Sequence, residues 1–220
     1  ADHGLLTADS RLTEDALQVF RFLCEEVETI SCTHLLVAPF ELRTRFQEMI
    51  EKESANARAG AFSGMVLKMN ALEDQGMADA LYRAAKVGVK TDLIVRGICR
   101  VRPGLPGVGA RIKARSIVDR FLEHARIYRF VNGGSPRLFL ASADLMKRNL
   151  DRRVEVAFPI YDPDIVEELE HFLHLQLSDN TKARILDANQ ENHYVGRRAG
   201  EPRVEAQDSF YQWLESRLES

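Results

Sequence analysis

The chain has 220 residues and a formal net charge of −3, with 45% hydrophobic and 29% charged residues. This composition is typical of a globular protein that buries a full core. No apolar run approaches the roughly 20 residues of a membrane-spanning helix, and the first residues lack the basic and apolar regions of a signal peptide.

Three cysteines are scattered without the spacing of a metal site or a disulfide framework: Cys24, Cys32 and Cys99. We expect them to be small buried apolar residues in a reducing compartment. The sequence therefore predicts a cytoplasmic protein that has no metal site of its own.

The first half of the chain alternates helical spacing with short apolar runs. In chain order, the predictions are a helix over residues 12–29, a strand over 34–40, a helix over 42–60, a strand over 65–70, a helix over 74–86 and a strand over 90–97. Near-continuous apolar strands that alternate with helices favour an α/β fold with a mostly parallel sheet covered by helices.

The pattern changes after residue 96. Residues 97–116 are rich in Gly, Pro and Arg, which predicts a loop, and loops at the carboxyl ends of parallel strands commonly bind ligands. The later predictions are a helix over 116–123, a strand over 125–131, a turn at 132–134, a strand over 137–143, a strand over 154–160, a helix over 164–177, an edge strand over 184–186 and a helix over 206–218. The Asn-Gly pair in the turn is a strong hairpin signal.

Positive charge is concentrated in one segment. Between Arg96 and Arg129, nine basic residues stand against two acidic ones, a local net charge of +7, so the remainder of the chain carries −10. A concentrated cationic segment on an otherwise acidic chain indicates an anionic ligand at one face.

His124 is the histidine with the most informative surroundings, because it ends an amphipathic run and is followed by fixed cations. Those cations are Arg126, Arg148, Arg152 and Arg153. An imidazole can move a proton while arginine forks bind phosphoryl oxygens two at a time. His124 is therefore a candidate for phosphate chemistry, together with Arg96 at the carboxyl end of a predicted strand.

The segment SADLMKRNLDRRVEV, residues 142–156, resembles the return segment of the phospholipase D superfamily. The related positions are Ser142, Asp144, Arg148, Asn149 and Glu155, with Arg153 where the superfamily has Asn. The upstream His-x-Lys of that superfamily stands here as His124-Ala-Arg126, and its later Asp is Val131. These departures disfavour lipase or nuclease activity.

A narrower resemblance covers nearly the whole chain. Four blocks, VKTDLIVRGICRVRPGLPG, RSIVDRFLEHARIYRFVNGG, ASADLMKRNLDRRVEVAFP and LSDNTKAR, are similar to the C-terminal region of the bacterial polyphosphate kinases of the first type. The resemblance implies an α/β, phospholipase D-like fold, a mixed and largely parallel sheet with helices on both faces. It also implies reversible transfer of the terminal phosphate of ATP onto polyphosphate, with Mg²⁺, through a phosphohistidine.

By this resemblance, His124 matches the family's second histidine, a catalytic proton donor or phosphate binder, and Arg96 matches a residue that binds the nucleotide phosphates. The candidate polyphosphate-lining residues are Arg126, Arg148, Asn149 and Arg153. The family's HxxTGNYN block and its metal-seating arginines do not occur in this sequence. We therefore expect residues 1–32 to end a preceding catalytic domain and residues 33–220 to form the C-terminal one, with Mg²⁺ bound outside this chain.

Three hypotheses remain open at this point. The first is the C-terminal catalytic domain of a polyphosphate kinase, inactive in isolation. Its expected partners are ATP, ADP, polyphosphate and the upstream domains of the same polypeptide, not nucleic acid. In that hypothesis the full-length enzyme is a cytoplasmic homo-oligomer, with membrane association as an open alternative. The second is a phospholipase D-like phosphodiesterase that acts as a dimer, and the third is a non-catalytic polyanion-binding module.

Overall fold

An eight-stranded mixed sheet lies between helices on both of its faces in the computed structural model, which describes residues 2–218. The helices are α1 (Ser10–Leu23), α2 (Leu42–Arg58), α3 (Gln75–Lys86), α4 (Lys147–Asp151), α5 (Pro163–Ser178) and α6 (Ala206–Leu218). The strands are β1 (Leu36–Ala38), β2 (Met65–Met69), β3 (Thr91–Val95), β4 (Ile112–Ile117), β5 (Arg126–Phe130), β6 (Arg137–Ala141), β7 (Glu155–Pro159) and β8 (Ala183–Leu186).

The strand order is β1-β7-β6-β5-β2-β3-β4-β8. Only β2, β3 and β4 pair in parallel; the other five pairs of neighbours are antiparallel. The mixed α/β sheet is confirmed, but the expectation that it is largely parallel is wrong. A short 3-10 turn at Asn132–Gly134 joins β5 to β6 and makes them antiparallel. The sequences of β5 and β6 are apolar because helices cover both faces of the sheet, and such burial does not require parallel pairing.

The two faces of the sheet carry separate clusters of buried side chains, as the prediction of helices on both faces requires. On one face, Phe46 of α2 and Leu81 of α3 join the larger cluster. On the other face, Leu169 and Phe172 of α5 pack against Ile127 of β5. Because both faces are covered, polar groups that emerge at the ends of the strands define the accessible edge of the sheet.

The predicted helix over residues 116–123 is wrong, and so is the prediction that residues 97–116 are entirely loop. Residues 112–117 form β4, which pairs with β3 and β8. Ile112 and Ala114 are buried while Lys113 is exposed, the alternation of a half-buried strand. The basic residues within this alternation obscured the strand signal. Residues 118–125 then run without regular structure into β5.

The N-terminal helix α1 is fixed to the start of β1 by one carboxylate. Asp15, 8% exposed, accepts hydrogen bonds from the main-chain N–H groups of Thr33 at 3.2 Å, His34 at 2.6 Å and Leu35 at 2.9 Å. The division of the chain after residue 32 stays a prediction.

The free cysteines do not all lie where the sequence suggested. Cys24 is exposed, so its predicted burial is wrong, because it caps the end of α1 instead of facing the core. Cys32 and Cys99 are partly buried, and burial raises the pKa of each thiol to about 11. Neither thiol is therefore poised for reaction as a thiolate.

Candidate functional site at the carboxyl ends of β2 and β3

His124 and Arg96 meet at one edge of the sheet. Residues 118–125 connect β4 to β5 and carry His124, whose side chain is exposed. Arg96 directly follows β3, and its Nη1 donates a hydrogen bond to the main-chain oxygen of Glu123. The other guanidinium N–H groups of Arg96 have no hydrogen-bond partner within residues 2–218, so they remain available to an anion.

Arg126, the first residue of β5, contacts the imidazole of His124 directly. Its Nη1 lies 3.0 Å from Nδ1 and 2.9 Å from the main-chain oxygen of His124. Its Nη2 lies 3.4 Å from Nε2. One guanidinium therefore contacts both the ring and the backbone of His124.

The same guanidinium is paired with Asp144, which follows β6. Arg126 Nε and Nη2 lie 3.2 and 3.0 Å from the two carboxylate oxygens of Asp144. That carboxylate also accepts hydrogen bonds from the main-chain N–H groups of Asn70 at 2.7 Å and Ala71 at 3.3 Å. Arg126 and Asp144 are thus built into the sheet edge, with side chains only 11% and 8% exposed.

The remaining candidates gather around Glu155 at the start of β7. Its carboxylate accepts hydrogen bonds from the Ser142 hydroxyl and the Asn149 amide, and one of its oxygens lies 3.9 Å from Arg153 Nη1. Asn149 is buried, whereas Arg153 and Arg148 are exposed. Within residues 2–218, the exposed side chains of Arg148 and Arg152 make no hydrogen bond or ion pair, so these two are the freest of the predicted cations.

A buried polar network beneath His124 was missed in the sequence. Lys68 of β2, 5% exposed, lies 2.6 Å from a carboxylate oxygen of Glu123 and 3.2 Å from the amide oxygen of Gln176. Burial lowers the pKa of Lys68, while the Glu123 carboxylate opposes that shift. The available signal was a lysine inside the otherwise apolar strand MVLKM.

The last helix also contacts this loop. The side-chain amide of Gln207 in α6 accepts a hydrogen bond from the N–H of Phe121 and donates one to the oxygen of the same residue, both at 2.8 Å. Its Nε2 also lies 3.1 Å from a carboxylate oxygen of Glu123. The backbone before His124 is therefore held from β2, β3 and α6 together.

The segment of charge +7 contains both structural and exposed arginines. Arg115 donates to the main-chain oxygens at the end of α5, and Arg129 pairs with Glu170. The exposed cations of the segment are Arg100, Arg102, Arg111, Lys113 and Arg120, of which Arg102 donates to the main-chain oxygen of Ala188. The local charge therefore overstates the number of cations that are available to a ligand.

Two kinds of feature are absent from residues 2–218. Within residues 2–218, no group of three or more His, Cys, Asp or Glu side chains could hold a metal ion. Every helix in the same range is too short or too polar to span a bilayer.

Comparison with known proteins decides the family. The model of the polyphosphate kinase C-terminal domain 2 matches residues 35–207, well over half of the chain. The chain belongs to this family. The resemblance to the first-type polyphosphate kinases is thereby confirmed, and Arg96, His124 and Arg126 all lie within the matched part of this polyphosphate kinase domain.

Similar proteins match nearly the whole length of the chain. The polyphosphate kinase of Salmonella typhimurium is 43% identical over 215 residues, which cover 98% of this chain and 31% of the relative. The crystal structure of polyphosphate kinase from Porphyromonas gingivalis superposes with a TM-score of 0.93 at 39% identity, over 97% of this chain and 33% of that one. This polyphosphate kinase domain thus spans about a third of the length of the relatives it matches.

A more distant similarity concerns the fold. Nuc from Salmonella typhimurium, a phospholipase D family member, superposes with a TM-score of 0.50 at 15% identity, over 70% of this chain and 96% of that one. The predicted phospholipase D-like fold is therefore confirmed for the polyphosphate kinase domain.

Proposed function

We propose that this chain is the C-terminal catalytic domain of an ATP–polyphosphate phosphotransferase. The observation that carries the proposal is the exposed imidazole of His124, which Arg126 contacts and whose preceding backbone Arg96 binds, in a member of the polyphosphate kinase family. In this reaction the terminal phosphoryl group of ATP moves to a histidine of an upstream domain, releasing ADP. It then moves from that histidine to the end of a polyphosphate chain.

Arg96 and His124 have separate roles in this proposal. The free N–H groups of Arg96 bind oxygens of the nucleotide phosphates, for which a planar guanidinium fork is suited. His124 faces the transferred phosphoryl group opposite the phosphorylated histidine. Fixed donors of this kind act where negative charge develops, and they need no reorganisation during the reaction.

The four candidate polyphosphate-lining residues differ in what supports their assignment. Arg148 and Arg153 are exposed and have ample capacity for phosphate oxygens. Asn149 already donates to Glu155, and Arg126 to Asp144. We propose that Arg148 and Arg153 contact the polymer, while Asn149 supports their segment from within.

Magnesium, the phosphorylated histidine and homo-oligomer contacts belong to other parts of the proposed enzyme. The described residues contain no group of three or more His, Cys, Asp or Glu side chains that could hold Mg²⁺. Residues 1–32 would then end the preceding catalytic domain and residues 33–220 would form the C-terminal one. A cytoplasmic location, and membrane association of the whole enzyme, stay predictions.

The test compares the chain alone with the longer protein that contains it. With ATP labelled on its terminal phosphate and Mg²⁺, the longer protein should form labelled polyphosphate and the chain of residues 1–220 should form none. His124→Ala in the longer protein should abolish polymer synthesis. His193→Ala is the matched control, because His193 is also exposed but pairs with Glu191.

Other outcomes of this test decide between the remaining hypotheses. Cleavage of a phosphodiester substrate without polymer synthesis would favour the phosphodiesterase. Polyphosphate binding without any transfer by the longer protein would favour the polyanion-binding module. Acid-labile phosphate on His124 itself would contradict the proposed division of roles, because it would place the nucleophile in this chain.

A further inference from the structure

We infer that Arg126 is a positioning residue that holds His124 as a neutral hydrogen-bond donor, and that it does not bind the polymer. This inference rests on the proposed function, because it assigns to His124 the manner in which it contacts the phosphoryl group. In this inference His124 is not an imidazolium that gives up a proton. It is a neutral imidazole that donates a hydrogen bond through Nε2–H.

The first argument is the number of donors that Arg126 has already used. A guanidinium has five N–H donors and no acceptor. Nε and Nη2 bind Asp144, Nη1 binds the ring and the main-chain oxygen of His124, and Nη2 also lies 3.4 Å from Nε2 of the ring. The Arg126 side chain is 11% exposed. A polyphosphate chain would therefore have to break contacts inside the protein to reach it.

The second argument is the anchoring of Arg126. Asp144 accepts main-chain hydrogen bonds from Asn70 and Ala71, immediately after β2. The Arg126 fork thus rests on a carboxylate that is itself fixed to a central strand. Contacts from beyond the first partner commonly set the orientation and tautomer of a functional histidine. Because Arg126 is itself held in place, it can fix the orientation and the tautomer of the His124 ring.

The third argument is the proton on the ring. Because arginine can only donate, the ring nitrogen in the shorter contact, Nδ1 at 3.0 Å, must accept. A neutral imidazole with an accepting Nδ1 carries its proton on Nε2. The proton on Nε2 then faces Arg126 only across the longer contact of 3.4 Å, whereas an imidazolium would direct N–H groups at the cation across both contacts. A neutral histidine can polarise a substrate oxygen by donating a hydrogen bond without giving up its proton.

The test uses two readouts, one of which needs no enzyme activity. Nitrogen-15 spectra of the histidine rings in the chain, with the His124 signals assigned by His124→Gln, report which ring nitrogen carries the proton. We expect a single Nε2–H form in the unaltered chain, and exchange between the two tautomers in Arg126→Met. The control is Arg129→Met, which removes the Arg129–Glu170 ion pair from the same strand without touching His124.

The second readout is kinetic, in the longer protein. Arg126→Met and Arg126→Lys should lower kcat about 10- to 100-fold, as for the loss of a charge-assisted hydrogen bond. Polyphosphate affinity and its salt dependence should stay unchanged. Lysine should restore little, because a point charge cannot bind the carboxylate and the ring at once. If Arg126→Met does not fold, the double variant Arg126→Met/Asp144→Asn is used in its place, because it also removes the carboxylate that the single change leaves unpaired.

Three results would overturn the inference. They are a His124 tautomer that does not change in the Arg126 variants, a full restoration of kcat by lysine, and a loss of polyphosphate affinity with a weaker salt dependence at constant kcat. Failure of the proposed function looks different. In that case no form of the longer protein makes polyphosphate, while the ring spectra still respond to Arg126 and not to Arg129.

Discussion

The guanidinium of Arg96 donates a hydrogen bond to the main-chain oxygen of Glu123. The residue that directly follows β3 thereby fixes the backbone directly before His124. Arg96 has two tasks in the proposed enzyme, since the same fork supports the loop and offers its remaining N–H groups to phosphate. Its replacement should show which task dominates.

We predict that Arg96→Ala in the longer protein lowers the rate of polyphosphate synthesis at least 10-fold. One lost charge-assisted contact is worth about 1.5–3 kcal/mol. The thermal midpoint should fall by only about 2–4 °C, the effect of roughly 1 kcal/mol in a domain of this size. The exposed Arg100, changed to Ala, is the control. A midpoint that collapses in Arg96→Ala would make Arg96 a structural residue.

Polyphosphate should bind to the chain through exposed arginines, with an affinity that falls as salt rises. Screening shortens electrostatic interactions to about 8 Å near physiological ionic strength. We expect Arg148→Gln and Arg153→Gln each to weaken the binding of labelled polyphosphate at low salt and to reduce its salt dependence. Lys90→Gln should have no effect, because Lys90 is exposed at the opposite, amino end of β3. Binding that does not depend on salt would contradict this prediction.

Replacing only one partner of the buried ion pair between Lys68 and Glu123 should strongly lower the free energy of unfolding. Their side chains are 7% and 6% exposed, and Lys68→Met leaves the Glu123 carboxylate buried without its cation. Such a change costs about 3–5 kcal/mol. We expect Lys68→Met/Glu123→Gln to recover most of that loss, measured as the free energy of unfolding in urea. A double variant that is no more stable than Lys68→Met would show that the pair is not the source of the cost.

Asp74 should contribute to the loss of stability in acid. Burial favours a raised pKa of its carboxyl, but hydrogen bonds from Arg43 and from the N–H of Met77 more than offset this and lower the pKa. A carboxyl whose pKa is lower in the folded state stabilises the protein above its unfolded pKa of about 3.9. That stabilisation is lost as the pH falls through the folded pKa.

The prediction is that the urea midpoint of the unaltered chain falls more steeply below about pH 4 than that of Asp74→Asn. Asparagine keeps a side-chain oxygen for the start of α3, so the helix cap itself is retained. Asp79→Asn, on the exposed side of the same helix, serves as the control. Equal acid slopes for all three proteins would show that Asp74 titrates alike in the folded and unfolded states.

Local patterns predicted the elements well, because helical spacing and apolar runs are properties of neighbouring residues. The helix predicted over residues 206–218 matches α6, and the strand predicted over residues 65–70 differs from β2 by one residue. Pairing between distant residues leaves no such pattern. Lys68 and Glu123 are 55 positions apart, and strand direction depends on connections that cross the sheet. For the same reason the sequence identified Arg126 as a cation, but not its contact with Asp144.

Because Gln207 of α6 contacts Phe121 and Glu123, the loop that carries His124 is fixed only after the last helix has been synthesised. A ribosome produces residues 118–125 well before α6, so the loop emerges without the amide that later fixes its backbone. Domains tend to fold as they are made, from the amino end onward. The sheet can therefore form first, and His124 acquires its final support only when the last helix packs against it.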